Sequence, residues 1–434
     1  MNNTYDAIII GAGIIGASIA FELSKRGKKT LNVDMLPAAG YGSTSYSCAI
    51  IRTHYSNLDS TALAYENFFR WQDWPGHLGV EDELGFAKFH QPGCLVMKTA
   101  ANNGLVHMIE HMKALDIPWE DWTSADVMNK FPFLDLRKYA PPKLPDHPEF
   151  AEPTGGDIEG AIFFPRAGYM SDPQLSTHNV QRAAEHHGAE FRFKTRVAHI
   201  RTENARVVGI IMENGESYDA PVVINVAGPH SSKINEMAGV AETMGLTTRA
   251  LREEVAQVDA PQGFDFEHEG VIYSDSDVGC YARPEIGNKM VVGGENPPCD
   301  PEDWVDPDDY SENQTEQMRN QVMRLAQRMP TLGIPGRMAG VVSCYDVTPD
   351  WIPIYDRSDL DGFYMAVGTS GNQFKNAPIV GEMMADLIEA CENGHDHDRD
   401  PVVFQLQRLN RPLSIGFFSR NRRINRESSF SVLG

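Results

Sequence analysis

The sequence predicts an α/β fold combined with an α+β one: a parallel-sheet domain assembled from discontinuous segments, into which a domain of mixed or antiparallel sheet is inserted. Three observations predict it. Residues 7–34 read AIIIGAGIIGASIAFELSKRGKKTLNVD, which is strand, glycine turn, helix, strand and acid in succession. Two further strand-then-turn runs stand far downstream, at VVINVAGPHS (222–231) and GFYMAVGTSG (362–371). Between them, residues 248–294 alternate short β-type runs with turn residues, as an antiparallel sheet does.

The first unit carries the most chemistry. The apolar run Ala7–Ile10 leads into Gly11, Gly13 and Gly16. Gly11 permits a tight turn, Gly13 lets the backbone approach a pyrophosphate, and Gly16 lets the next helix pack closely on the strand. The N-terminus of that helix offers unpaired N–H groups and the positive end of its dipole to phosphates. Asp34 ends the second strand at roughly the 20-residue spacing of an acid that accepts ribose hydroxyls. A GxGxxG in this context marks a Rossmann-like dinucleotide-binding unit. It does not separate FAD from NAD(P).

The loop PAAGYGSTSYSCAIIRTHYS (37–56) follows, then a helix over Thr61–Trp71. Helices are expected at Asn103–Leu115 and Ser124–Phe131, and the proline-rich APPKLPDHPEFAEP (140–153) reads as a surface loop or lid. Ser171-Asp172-Pro173 opens a helix reaching about His187, with Ser171 as its cap and Pro173 in its first turn. Strand-like runs occupy 189–201, 205–215 and 216–228; Val222–Val226 has the apolar make-up of a buried parallel strand, and a helix follows Gly228-Pro229. The acidic loop CDPEDWVDPDDYSEN (299–313) precedes a helix over Glu312–Arg328. The last strand, 362–368, runs through Thr369-Ser370-Gly371 into a helix that starts near Gly371 and ends near Glu392. The nucleotide domain is therefore expected to comprise 1–84, 155–236 and 345–434, and the inserted domain 85–154 and 237–344.

A chain of 434 residues has two domains as its prior expectation. Its net charge of −22 argues against nucleic acid and anionic membranes as partners, since both are bound by clustered Lys and Arg. A small, locally basic site for an anionic substrate stays compatible with that charge. None of the six cysteines forms a CxxC pair, so zinc-ribbon and thioredoxin-like readings fail, and isolated thiols suit a reducing compartment. No basic residue precedes the apolar run Ala7–Ala20, and no other run is long enough to span a bilayer. A cytoplasmic protein without a metal is the expectation. The HDHD run at 395–398 reads as a solvated loop. The basic tail RLNRPLSIGFFSRNRRINRE (408–427) is complementary to the acidic loop at 300–309, in the same or another subunit.

Six motifs in order, GAGIIG, AIIRTHY, VVINVAGPHS, YARPEIGNKMVVGG, YDVTPDWIPIYD and GTSGNQFKNAPIVGE, resemble the flavin amine oxidoreductases of the D-amino-acid oxidase superfamily. The sarcosine oxidase and dimethylglycine dehydrogenase branch is the most similar, including the β subunit of heterotetrameric sarcosine oxidases. The resemblance covers residue 5 to about 392. It implies FAD rather than NAD, an FAD-binding domain of Rossmann-like type and a substrate domain made by the inserted sheet. The FAD contacts it implies are Gly11, Gly13, Ile14, Ile15 and Gly16 in the first turn, Asp34 after it, and Ser43, Thr44 and Ser45 in the next loop. Val197, Ala227 and Gly228 follow in the middle of the chain. Gly368, Ser370, Gly371, Asn372, Phe374 and Lys375 complete the set. The C-terminal helix would aim its N-terminus at the flavin and stabilise negative charge there.

By the same resemblance, Arg52 pairs with the substrate carboxylate, a role its planar fork suits. Lys375, in SGNQFK, joins it. Tyr281, Tyr345 and His54 are candidates for the cavity wall, where aromatic faces hold amines. Three departures bear on the chemistry. Ser343, with Cys344 beside it, stands where some sarcosine oxidases attach flavin through cysteine, and Tyr46 stands where other relatives use histidine, so FAD is expected to be non-covalent. Ala49 replaces a basic residue of the monomeric sarcosine oxidases, which leaves oxygen or another electron acceptor open. The implied activity is hydride transfer to flavin from a carboxylate-bearing amine, such as a sarcosine-like N-methyl or other secondary amino acid, giving an imine that hydrolyses. The alternatives are a dehydrogenase subunit of a larger amine-oxidising complex and a D-amino-acid or cyclic imino acid oxidoreductase. A homo-oligomer or a partner subunit is compatible with each.

Overall fold

Ala7–Ile10 is buried at every position and sits inside a six-stranded sheet. The strand order is 354–357, 363–367, 223–225, 7–10, 30–33, 190–192. All neighbours are parallel except the edge strand Ile354–Arg357. Parallel pairing needs crossover helices, and these pack on one face: Ile14–Lys25 lies against both Pro173–His186 and Ala377–Glu392. Ile14–Lys25 is buried throughout except at Lys25, which explains its nearly uniform apolar sequence. A three-stranded antiparallel sheet (197–203, 206–212, 217–219) covers the other face through Val197, Ile200, Val207 and Ile210. The structure is a computed structural model and describes residues 3–102 and 104–433. Among them no helix is long and apolar enough to cross a membrane.

The second half of the fold is a nine-stranded mixed sheet. Its path runs 303–305, 249–259, 289–294, 280–285, 272–275, 94–97, 160–164, 120–123, and 339–347 pairs with 249–259. One face is covered by the helix Glu316–Arg328, whose Met318, Val322 and Leu325 recur at helical spacing and are fully buried. The same helix buries two arginines. Arg328 donates to Asp275 at 2.7 Å and to Asp277 at 2.9 Å, and Arg324 makes a two-pronged contact with Asp300 at 2.5 and 2.6 Å. Replacing Arg328 with Met leaves two buried acids without their cation, which costs about 3–5 kcal/mol. A clear drop in the thermal midpoint is expected, with no change in FAD stoichiometry.

Several expectations need correction. Gly160–Phe164, placed with the nucleotide domain, pairs antiparallel with Cys94–Met97 in the nine-stranded sheet. Ala339–Val347 runs across the expected boundary at 344/345, because its pairing with 249–257 is continuous. Asp172, not Ser171, caps the helix Pro173–His186, accepting the Leu175 N–H at 2.9 Å. The helix after Gly228-Pro229 begins at Ser231, behind a 3₁₀ turn, and the acidic-loop helix begins at Glu316 with Thr315 as its cap. The helix expected from Asn103 spans Leu105–Ala114; Asn103 itself lies outside the described residues. The basic tail meets other acids than those at 300–309. Arg420 reaches Asp356, Asp359 and Asp398, Arg422 grips Asp350, and Arg411 pairs with Asp59. His397 is buried at 2% exposure beside Asp356, so the HDHD run is only partly solvated.

Candidate active site

A cleft of about 420 Å³ runs between the two large sheets, from Asp34 at one end to Tyr281 at the other. The Asp34 end is built by the first βα unit. Gly11 has φ +111°, and a Cβ there would stand 2.3 Å from the Val226 carbonyl oxygen, so the turn abuts the neighbouring strand. Gly13 caps the helix Ile14–Lys25 without a side-chain acceptor, which leaves first-turn N–H groups facing the cleft; Ile14 N–H donates to Thr44 Oγ1 at 3.3 Å. The Asp34 carboxylate is fixed in place, accepting the Ala12 N–H at 2.8 Å and the Leu36 N–H at 2.9 Å. A fixed acid beside an uncapped helix N-terminus fits the ribose and pyrophosphate of a dinucleotide.

The cleft is also lined by Arg52, His54, Tyr281, Tyr345 and Lys375. Tyr55 is their organiser. The Arg52 guanidinium lies 4.1 Å from the Tyr55 ring centroid, and Lys375 Nζ reaches the Tyr55 hydroxyl at 3.1 Å. Lys375 also donates to the Asn372 carbonyl at 2.6 Å, and that carbonyl accepts the Tyr55 hydroxyl at 2.7 Å. The turn carrying Lys375 is held from behind: Trp71 Nε1 donates to the Lys375 carbonyl at 2.7 Å, and the Trp71 ring stacks on Phe374. Arg52 Nη1 donates to the His54 carbonyl at 2.5 Å, and Nη2 donates to the carbonyls of Val432 and Leu433.

Burial dominates the electrostatics here. It pushes the Lys375 ammonium well below its ordinary range, with Arg52 adding repulsion. His54 is likewise held neutral by burial, then by Arg52 and Lys375, and its ring stacks on Phe164 at 4.1 Å. Among the described residues neither Arg52 nor Lys375 makes a salt bridge, although both are over nine-tenths buried. Tyr281 and Tyr345 are seated on glycines: a Cβ on Gly293 would meet the Tyr281 ring at 2.4 Å, and one on Gly371 would meet Tyr345 at 2.5 Å.

Two buried acids, Glu253 and Asp346, line the cleft, and a third, Glu295, lies outside its lining. Glu253 accepts from Asn296 at 2.6 Å and from Gln317 at 2.9 Å, and burial pushes its carboxyl up to about 8. Glu295, bonded to Ser274 and Ser276, is raised to about 7 by burial, and Asp346 also to about 7. A raised carboxyl binds its proton more tightly in the folded state than in the unfolded one. Stability therefore falls as pH rises from the ordinary value near 4.5 towards 8. Thermal melts between pH 5 and 9 are expected to show that decline, and Glu253→Gln to flatten it.

Of the expected FAD contacts, Gly11, Gly13, Ile14, Ile15, Asp34, Ser43 and Thr44 line the cleft, as do Ala227, Gly228, Gly371, Asn372, Phe374 and Lys375. Five do not. Gly16 lies behind the turn, where a Cβ would strike the Gly11 carbonyl, and Ser45 bonds back to Gly42. Val197 belongs to the core between two sheets, and Gly368 and Ser370 are turned towards Asp346, whose side chain and carbonyl accept their N–H groups. The helix expected to start near Gly371 begins at Ala377, and Asn67 accepts its Ile379 N–H at 3.0 Å. Ser343 lines the wall, Cys344 is buried with its thiol pushed up to about 11, and Tyr46 is 41% exposed. Alternation in REEVAQVD puts Ala256 and Val258 on the core face together with Glu254, so it gives no signal for Glu253. Nothing in the sequence signals Val432 or Leu433.

A family model described as FAD dependent oxidoreductase (DAO) matches residues 6–387, nearly the whole of both sheets. The chain belongs to this family. FAD is thus its cofactor, and the chain is an FAD-dependent oxidoreductase. It is 23% identical over 394 residues to a protein named sarcosine oxidase subunit beta of Rhodobacter capsulatus, covering 88% of this chain and 84% of that one. It is 22% identical to a glycine oxidase of Geobacillus kaustophilus, covering 91% and 96%. Among solved structures, L-proline dehydrogenase from P. horikoshii superposes with a TM-score of 0.75 at 20% identity, covering 97% of this chain and 98% of that one. Glycine oxidase from Geobacillus kaustophilus gives 0.73 at 19%, covering 97% and 100%. At those identities the superpositions speak for the fold: an FAD-dependent oxidoreductase architecture with one α/β and one mixed sheet.

Proposed function

We propose that this oxidoreductase oxidises a small carboxylate-bearing amine, a sarcosine-like N-methyl or other secondary amino acid, at its CH–NH bond. One observation carries the reading: Arg52 and Lys375 are buried basic groups that both contact Tyr55 at the cleft wall, and among the described residues no acidic side chain is paired to either. Burying uncompensated charge is costly, and an anionic ligand removes the cost. In this reading the six-stranded sheet and its flanking segments hold FAD, and the nine-stranded sheet forms the substrate wall. Bound FAD supplies the two-electron, hydride-accepting chemistry.

The chain's own residues bind and orient. Arg52 takes the carboxylate as a fork, and Lys375, held at the Tyr55 hydroxyl, joins it, the anion favouring its ammonium form. Tyr281 and Tyr345, pressed onto Gly293 and Gly371, give the amine a rigid aromatic wall that excludes water. His54, neutral and stacked on Phe164, closes the remaining side without adding charge. FAD is held non-covalently, since Ser343 offers no thiol and Cys344 keeps its proton. Acid precipitation is expected to leave all flavin in the supernatant.

The test is anaerobic mixing of the FAD-loaded protein with sarcosine, other N-methyl amino acids, D-amino acids and cyclic imino acids, following the flavin absorbance. Bleaching by one class identifies the substrate; silence towards all of them rules out amine oxidation. A second reading, in which this chain works within a larger complex, is favoured by the likeness to a protein named as a β subunit. In that case bleaching is kept while turnover with oxygen is slow.

A further inference from the structure

We infer that residues 428–433 form an internal strap that occupies the substrate site, taking the carboxylate position at Arg52 and an adjoining aliphatic pocket until a carboxylate-bearing amine displaces it. The inference rests on the proposed role of Arg52. Both protons of Arg52 Nη2 are spent on this segment, on the carbonyls of Val432 (3.1 Å) and Leu433. The Val432 side chain, 9% exposed, packs with Leu251, Tyr281, Val347 and Trp351. The segment therefore presents an oxygen to the guanidinium and a branched aliphatic group to the aromatic wall, which is what an aliphatic amino acid would present.

Its attachment suits release. Upstream the chain is pinned: Arg422 grips Asp350 at 2.7 and 3.1 Å, and Asn425 N–H donates to the same carboxylate. Beyond Asn425, the described hydrogen bonds of the strap are local, among Ser428, Ser429 and Ser431, apart from those to Arg52. A carbonyl offers Arg52 only a dipole, whereas a carboxylate brings full charge to the buried guanidinium, favours the protonated form of Lys375 and makes the stronger hydrogen bond. The exchange is thus downhill for a carboxylate that also fills the valine-sized pocket. The matching substrates are amino acids with a compact aliphatic group.

Isovalerate, which cannot be oxidised as an amine, is the probe; its binding is read from perturbation of the flavin absorption band. Three FAD-loaded proteins are compared: the full chain, Val432→Lys, and a variant ending at Glu427. Removing or unseating the strap is expected to tighten isovalerate about tenfold, as when a competent state populated at about a tenth becomes fully available. In the full chain, isovalerate is also expected to speed trypsin cleavage after the exposed Arg426, because freeing the strap opens the chain to the protease. Equal affinities in all three proteins, with cleavage unaffected by ligand, sink the strap and leave the carboxylate reading standing. Affinity that survives Arg52→Met in the shortened variant sinks the carboxylate reading, and the strap with it.

Discussion

Arg52→Met is expected to lower kcat/KM for carboxylate-bearing amines by about two orders of magnitude, with the loss concentrated in KM. The lost contact is a charge-assisted fork in a buried site, worth about 3 kcal/mol when one partner is truncated, and each 1.36 kcal/mol is a factor of ten. Methionine keeps the side chain's bulk over Tyr55, where the guanidinium now lies at 4.1 Å, so the wall stays filled. Arg52→Lys keeps the charge and loses the fork, and is expected to fall between the two. The control is an amine of the same shape without a carboxylate: it is a poor substrate for the parent and should be no worse for Arg52→Met. Equal losses for both amines would point to misfolding instead of a lost anchor, and no loss for either would remove Arg52 from the site.

Gly11→Val is expected to abolish FAD retention and to destabilise the protein by more than about 3 kcal/mol, the range of strained backbone combined with overpacking. At φ +111° a β-branched residue is strained whatever the space around it, and its Cβ would lie 2.3 Å from the Val226 oxygen and 2.7 Å from the Val226 carbon. Relief requires parting two adjacent parallel strands, 7–10 and 223–225, inside the six-stranded sheet. Gly13→Ala is the informative contrast. There the nearest atom is Thr44 Oγ1 at 3.1 Å, the tip of a side chain that can yield. That variant is expected to fold, with weakened FAD binding as its main defect. Flavin content by absorbance and the thermal midpoint separate the two cases.

The first βα unit was fully legible in the sequence because its constraints are local: strand, turn, helix and acid follow one another within residues 7–34. Arg52 and Lys375 were legible through short motifs, and the structure brings both to Tyr55. What escaped was set by pairing at a distance. Gly160–Phe164 looks like any buried strand, and only its partner Cys94–Met97 tells which sheet it joins. The C-terminal helix starts at Ala377 instead of near Gly371 because the intervening turn is drawn into contacts with Tyr55 and Trp71. Val432 packs against Tyr281, a neighbour that nothing in the local sequence announces.

The strand Ala339–Val347 has a mechanical consequence. It is paired with 249–257 along its whole length and places Tyr345 on the cleft wall. The next residue, Asp346, holds the Gly368 N–H and the Ser231 hydroxyl, both of which follow strands of the other sheet. The Asp346 carboxylate thus ties the two halves together beside the cleft. In the proposed reading this tie sets the spacing between the FAD-binding half and the substrate wall before any ligand arrives.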